Sequence, residues 1–361
     1  MVMRIQEKIL RRRVEKFQAL MKERKIDAAM IRTLSSFIYF TGTKWLRPSL
    51  LIPADGEPIA FIARGEENGF LKRTWIKNVE TYTEGGEVMA KVSGIIRSSG
   101  YKIVGLEYGI QRDAYIIFYE MFKKLNPQVN VVDVSELIYG LRMIKDDFEI
   151  NFIKKARSIA KRTLEEVLPI IDKGLSETEI AAELYSRLYR YGSEDPHVYV
   201  NVGPYPRVHS EPFRDVRVSE NVFVTVVIGA DYNHYYANMS ETTFIGRNDE
   251  RAQRALKCMD EAFEVARNLT RAGIKPIDVM KELEKVYEKY GMLKYRVKGY
   301  LHGVGLQIEE IPITTIIPGH RSIELKARMA VAFIHAPLMI KDLGQVKKEY
   351  TFIINEEGEL E

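Results

Sequence analysis

The segment Val224–Ile245, VTVVIGADYNHYYANMSETTFI, constrains the fold of this chain more than any other stretch. An almost unbroken apolar run from Val222 to Ile228 enters Gly229, Ala230, Asp231 and Asn233, and a second strand from Tyr235 to Ile245 leaves them. Gly and Asn tolerate the positive φ that tight turns require, so the pattern predicts a β-hairpin with its turn over 229–233. Two later stretches are built to meet it: Tyr300–Pro312 (YLHGVGLQIEEIP) and Val331–Phe352 (VAFIHAPLMIKDLGQVKKEYTF). They hold two of the six histidines, His302 and His335, in glycine-rich or strand contexts, and the carboxylate of Glu349 on a late strand.

The 361 residues suffice for one to three domains and a sizeable core. A hydrophobic content of 46% with 29% charged residues suits a soluble globular protein. The formal net charge is only +4, and both signs are interspersed, so no nucleic-acid face is expected. A single cysteine, Cys258, excludes an internal disulfide framework and fits a reducing, cytoplasmic interior. The opening MVMRIQEKILRRRVEKF lacks an apolar signal core. No apolar run approaches the roughly 18 residues of a membrane span. Abundant Lys, Arg and Glu with little Gln or Cys is a thermophile-like composition.

Residues 4–25 predict an amphipathic helix with Leu10, Val14, Phe17 and Met21 on one stripe. Strands are expected at Ala28–Arg32, Phe37–Phe40, Leu50–Pro53, Pro58–Ile62, Val79–Tyr82, Lys102–Val104 and Val129–Val132, with helices at Glu87–Ser98 and Ala114–Leu125. This makes a compact α/β unit over residues 1–133. Val134–Arg142 predicts a linking helix that opens a second unit, 134–361. Ser176 with Glu179 three residues on is a capping box for a helix to Gly192. Strands at His197–Gly203 and Val222–Ile228 follow, then helices from Asn248 or Asp249 to Ala272 and from Ile277 to Tyr290.

The hairpin, L-H-G-V-G-L-Q-I-E-E-I-P and K-K-E-Y-T resemble the metal-ligand segments of the pita-bread peptidases, the family of Xaa-Pro dipeptidase (prolidase), Xaa-Pro aminopeptidase and methionine aminopeptidase. In that family the segments read D-x-G-x-x-x-x-x-Y-x-x-D-x-T-R-T, G-H-G-x-G-L-x-x-H-E-x-P, I-E-P-G and R-x-E-D, and five side chains bind two metal ions. The stretch IDAAMIRTLSSFIYFTGTKWLRPSLLIPADGEP resembles the N-terminal domain of prolidases and creatinases. The resemblance spans nearly the whole chain. It implies an α/β N-terminal domain followed by an α+β pita-bread domain, assembled as a homodimer.

The ligand positions it implies are incompletely kept. Val227 stands at the first aspartate, and valine has no ligand atom. Asn238 stands at the second, where a neutral amide cannot bridge two cations. His302 falls on the histidine ligand, His335 on the next glutamate (a one-residue slip puts Ile334 there), and Glu349 on the last glutamate. One acidic ligand cannot hold two dications close together, so a two-metal centre is not expected. What survives surrounds one metal: His302, His335, Glu349 and Asn238, a set suited to a single Zn, Fe, Mn or Co ion. Its rival is a site without metal. Lys347 alternates with Glu349 on one strand face, within reach of an ion pair that would neutralise it.

The resemblance also implies roles for residues outside the ligand set. His209, in V-G-P-Y-P-R-V-H-S-E-P, matches a histidine beside the substrate in prolidases and the proton-transfer group of creatinase, a metal-free relative. Glu309 replaces a histidine that supports the oxyanion, and Glu310 follows it as the retained glutamate. Creatinase's catalytic glutamate is Ser240 here, and the adjacent Glu241 points to the opposite strand face. Arg47 matches a basic position in an N-domain strand, a candidate substrate contact across a dimer interface. His197, His234 and His320 read as turn or surface residues, and Gly303 and Gly305 as permitting close strand approach.

Three functions remain open: a divergent, inactive homologue (a pseudoenzyme) that binds a peptide or small ligand, a mononuclear-metal hydrolase of a dipeptide or small amide, and a metal-free C–N hydrolase using His209. Chelator sensitivity separates the second from the third, and ligand binding without turnover identifies the first. No nucleic-acid or membrane partner is implied.

Overall fold

A computed structural model describes residues 5–109, 114–208, 210–334 and 336–361. The chain divides into two units, Met1–Arg142 and Met143–Glu361.

The first unit contains helices α1 (Glu7–Glu23), α2 (Leu34–Thr41), α3 (Glu67–Leu71), α4 (Gly85–Ser98), α5 (Ala114–Leu125) and α6 (Ser135–Met143). Its strands are β1 (Ala28–Ile31), β2 (Leu50–Pro53), β3 (Ile59–Ala63), β4 (Asn78–Tyr82), β5 (Ile103–Leu106) and β6 (Asn130–Asp133). They form one mixed sheet in the order β4-β3-β2-β1-β5-β6. The strand expected at Phe37–Phe40 is instead the middle of α2. Every residue from Ser35 to Thr41 is buried, so the helix shows no polar stripe and its periodicity is silent. Its ends are marked all the same: Thr33 caps it through Ser36 N at 3.4 Å, and Gly42 closes it at φ 76°.

In the second unit, α7 (Asp147–Val167) and α8 (Glu177–Arg190) both begin with capping boxes, Asp146 with Glu149 and Ser176 with Glu179. Strands β7 (His197–Val202), β8 (Val222–Tyr232) and β9 (Tyr235–Ile245) follow, then α9 (Glu250–Leu269), capped by Asp249, and α10 (Pro276–Lys289). Strands β10 (Leu301–Gly303), β11 (Glu310–Ile313), β12 (Ala330–Phe333), β13 (Leu338–Ile340), β14 (Gly344–Val346) and β15 (Glu349–Ile353) complete it. Seven strands form an antiparallel sheet in the order β11-β10-β12-β15-β9-β8-β7, while β13 and β14 pair separately.

The hairpin is longer than its composition suggested. Gly229, Ala230 and Asp231 lie inside β8, and the turn is the two-residue Asn233–His234, both at positive φ (49° and 67°). Positive φ at both central residues is the type I′ arrangement, whose twist matches the flanking strands. Strand alternation then sorts the side chains. Val224, Val226, Ile228, Ala230 and Met239 join a hydrophobic cluster with α7 and α8. Leu301, Val331 and Phe333 join another with α9 and α10. The opposite face carries the polar residues Thr225, Asn238, Ser240, His302, Glu349 and Thr351, all buried. The apolar face thus holds the sheet on its helices, and the polar face carries the site.

Cys258 is fully buried in the α9–α10 cluster. Burial, helped by the Glu261 charge, pushes its thiol up to about 12. Among the described residues, no helix is long and apolar enough to cross a membrane.

Candidate functional site

Ladder register brings the expected positions together. Val227 pairs with Ser240, and Ser240 with Glu349; Gly229 pairs with Asn238; His302 pairs with Ala332, which pairs with Thr351. Asn238 N donates to Thr351 Oγ1 at 2.8 Å, tying β9 to β15 beside the site. The glycines make the approach possible. A Cβ on Gly229 would lie 2.6 Å from Ile308 Cδ1, and one on Gly303 2.5 Å from the Ile311 carbonyl oxygen.

His302 is 1% exposed and both its ring nitrogens face oxygens: Nδ1 lies 2.8 Å from Gly303 O and Nε2 lies 3.0 Å from Glu349 Oε1. Two acceptors favour the doubly protonated ring. Burial opposes that charge, but the Glu349 hydrogen bond and charge, the Glu309 charge and the Gly303 carbonyl outweigh it, so the pKa of His302 is raised. Lys347 Nζ occupies the other side of the carboxylate, 2.8 Å from Glu349 Oε2. Thr242 sets Lys347 in place: its hydroxyl accepts from Lys347 N and donates to Lys347 O, each at 2.8 Å. Glu349 is therefore flanked by two cationic side chains.

Asn238 adds no charge. Its Nδ2 donates to Ile308 O at 3.0 Å, which fixes the amide and leaves Oδ1 buried without a hydrogen-bond partner. Ser240 Oγ is likewise buried and unpartnered. Glu310 is held by an ion pair. It is buried, and Oε2 accepts from Lys145 Nζ at 3.0 Å while Oε1 accepts from Gln307 N at 3.2 Å. Gly305 makes room for that carboxylate, since a Cβ there would lie 2.7 Å from it. Glu309 is only partly buried. Glu241 points to the other strand face, as expected, and receives the Tyr350 hydroxyl. Burial raises its pKa, against the hydrogen bond from Tyr350.

His209 and His335 lie outside the described residues. Arg47 lies in the loop between α2 and β2 rather than in a strand, is exposed, and has φ 64°. Lys145 went unnoticed in the sequence because 165 residues separate it from Glu310. Also missed was a second group, Glu194, Asp231 and His234, at the tip of the β8–β9 hairpin.

Comparison with known proteins agrees with this architecture. Residues 151–356 match the model of metallopeptidase family M24, and residues 13–144 that of the creatinase/prolidase N-terminal domain. The chain is 25% identical to the Xaa-Pro dipeptidase of Pyrococcus furiosus over 97% of both chains. It is 24% identical to the ectoine hydrolase of Halomonas elongata over 77% of this chain and 76% of that one. The prolidase structure from Pyrococcus horikoshii OT3 superposes with a TM-score of 0.86 at 23% identity, covering 97% of each chain. An α/β N-terminal domain followed by an α+β pita-bread domain is therefore the fold.

Proposed function

The chain belongs to metallopeptidase family M24, and from that premise we propose that it is a divergent Xaa-Pro dipeptidase-like member that binds a peptide or small ligand without a two-metal peptidase centre. The observation that carries this reading is the buried Lys347–Glu349–His302 array. The family implies divalent metal, and the described donors do not fit a pair of dications. Val227 offers no ligand atom and Asn238 only a neutral amide. Both oxygens of Glu349 are engaged by side-chain cations. A metal would have to displace the Lys347 ammonium from Glu349 and remove the proton that His302 shares with it.

The two orphaned acceptors suggest what the site takes instead. Asn238 Oδ1 and Ser240 Oγ are buried without partners, and an unmet buried polar group costs about 1–3 kcal/mol. A ligand N–H, such as an amine or amide, meets that need. Glu309, partly exposed and close enough for its charge to act on His302, supplies negative potential for a cationic end.

The test is metal uptake and turnover together. Full-length protein loaded separately with Mn²⁺, Co²⁺, Fe²⁺ and Zn²⁺ should show no two-ion uptake that depends on His302 or Glu349, and no Xaa-Pro dipeptide hydrolysis. Two ions lost on His302→Ala, with dipeptide turnover, would sink the proposal. A second reading, a metal-free hydrolase of a small C–N substrate, draws on Glu309 beside the charged His302 and on the likeness to an ectoine hydrolase. Chelator-insensitive turnover lost on Glu309→Gln would favour it. By family habit the expected assembly is a homodimer, which light scattering checks.

A further inference from the structure

We infer that Glu194, Asp231 and His234 form a divalent-cation site at the tip of the β8–β9 hairpin, sharing no residue with the Lys347–Glu349–His302 array. One ligand atom from each of the three lies within 4.8 Å of the others. His234 Nδ1 and Glu194 Oε2 are already 3.3 Å apart. That equals the edge of a zinc tetrahedron, about 3.3 Å for bonds of ~2.0–2.1 Å.

Asp231 supplies the second, independent observation. It is 0% exposed. Its Oδ1 accepts three hydrogen bonds from one loop: Ser193 Oγ at 2.6 Å, Glu194 N at 2.9 Å and Asp195 N at 2.9 Å. Ser193 Oγ in turn accepts from Asp231 N at 2.9 Å. These contacts fix the carboxylate's orientation and leave Oδ2 buried with no hydrogen-bond partner. An ordinary loop clamp needs only the first oxygen. The second is a buried anionic acceptor facing an unmet requirement, which a cation satisfies better than any neutral donor.

The backbone presents the remaining ligands. The type I′ turn holds His234 at φ 67°, and its ring meets Glu194 across the tip. Glu194 is exposed and His234 partly so, which gives an ion access from solution. One imidazole with two carboxylates suits Zn²⁺, Co²⁺ or Mn²⁺, with a position left for water. Such an ion would fasten the 193–195 loop to the hairpin tip, and binding only the folded chain it would stabilise it.

The decisive experiment strips full-length protein with chelator and titrates it with Zn²⁺ by calorimetry and with Co²⁺ by visible absorption. Wild type, His234→Ala, Asp231→Asn and His302→Ala are compared. The site predicts one ion with tetrahedral Co²⁺ bands, bound at least tenfold more weakly by His234→Ala and Asp231→Asn and unchanged by His302→Ala. It also predicts a Zn²⁺-dependent rise in Tm that His234→Ala abolishes. Should Asp231→Asn fail to fold, His234→Ala decides alone, since its side chain sits in a turn. Wild-type uptake that His234→Ala leaves intact, or no uptake by wild type, overturns the proposal. The His302→Ala arm keeps this outcome apart from failure of the metal-poor reading of the array.

Discussion

Lys347 Nζ lies 2.8 Å from Glu349 Oε2, on the carboxylate whose other oxygen is bonded to His302. Two side-chain cations thus supply the counter-charge of this buried carboxylate. Glu349 is 1% exposed, so its charge is met by these two side chains rather than by water.

Lys347→Met should therefore destabilise the protein by about 1–3 kcal/mol, the cost of leaving one buried carboxylate oxygen without its partner while His302 still balances the charge. Urea unfolding measures it. The double variant Lys347→Met/Glu349→Met should recover much of the loss. A single variant as stable as wild type would mean that the pair is solvated.

Restoring carboxylates tests the site from the other direction. Val227 faces Ser240, and Asn238 is two residues along the same face. Val227→Asp/Asn238→Asp should lower stability without metal by several kcal/mol, because the buried carboxylates then outnumber the cations that face them. Combined with Lys347→Met, the same changes should gain Mn²⁺ or Co²⁺ uptake, read as ions per chain. No uptake in the triple variant would mean that the surrounding shell, and not only these positions, has changed.

The His302 interaction carries a pH signature. Its folded pKa is raised, so the folded state holds the proton more tightly than the unfolded chain. The stabilisation is fully present below the unfolded value, about 6.5, and is lost as pH rises through the higher folded value. Wild type should lose stability relative to His302→Gln as pH climbs from about 6, and paired Tm measurements across pH show this. A difference that grows toward alkaline pH would contradict the assignment.

Alternation and turn chemistry made the hairpin and its polar face legible in sequence, and placed Lys347 beside Glu349. Three features were not legible, each for a physical reason. Helix α2 is buried on all sides, so its apolar run carries no period, although Thr33 and Gly42 mark its ends. The turn was set too early because Gly229 is required by Ile308 across the site and not by a bend. Lys145 with Glu310, and Glu194 with Asp231, come from segments far apart in the chain, which no local pattern connects.

Gly303→Ala should cost about 1–3 kcal/mol, the usual range for overpacking. The added methyl would lie 2.5 Å from the Ile311 carbonyl oxygen, a backbone atom that cannot step aside without loosening the β10–β11 pairing. Since His302 precedes it, ligand affinity should fall with stability. Differential scanning calorimetry and a binding isotherm on the same sample check both.

The lone thiol has a use of its own. Cys258 is sealed in the α9–α10 cluster, with its ionisation pushed up to about 12. In the closed protein it is neither accessible nor nucleophilic. An alkylating reagent can therefore mark it only in molecules whose helix pair has come apart, and the chain has no second cysteine to confuse the count. The protein thus carries a native stopwatch: the labelling half-life reads how often this part of the molecule opens, with no dye or engineered reporter.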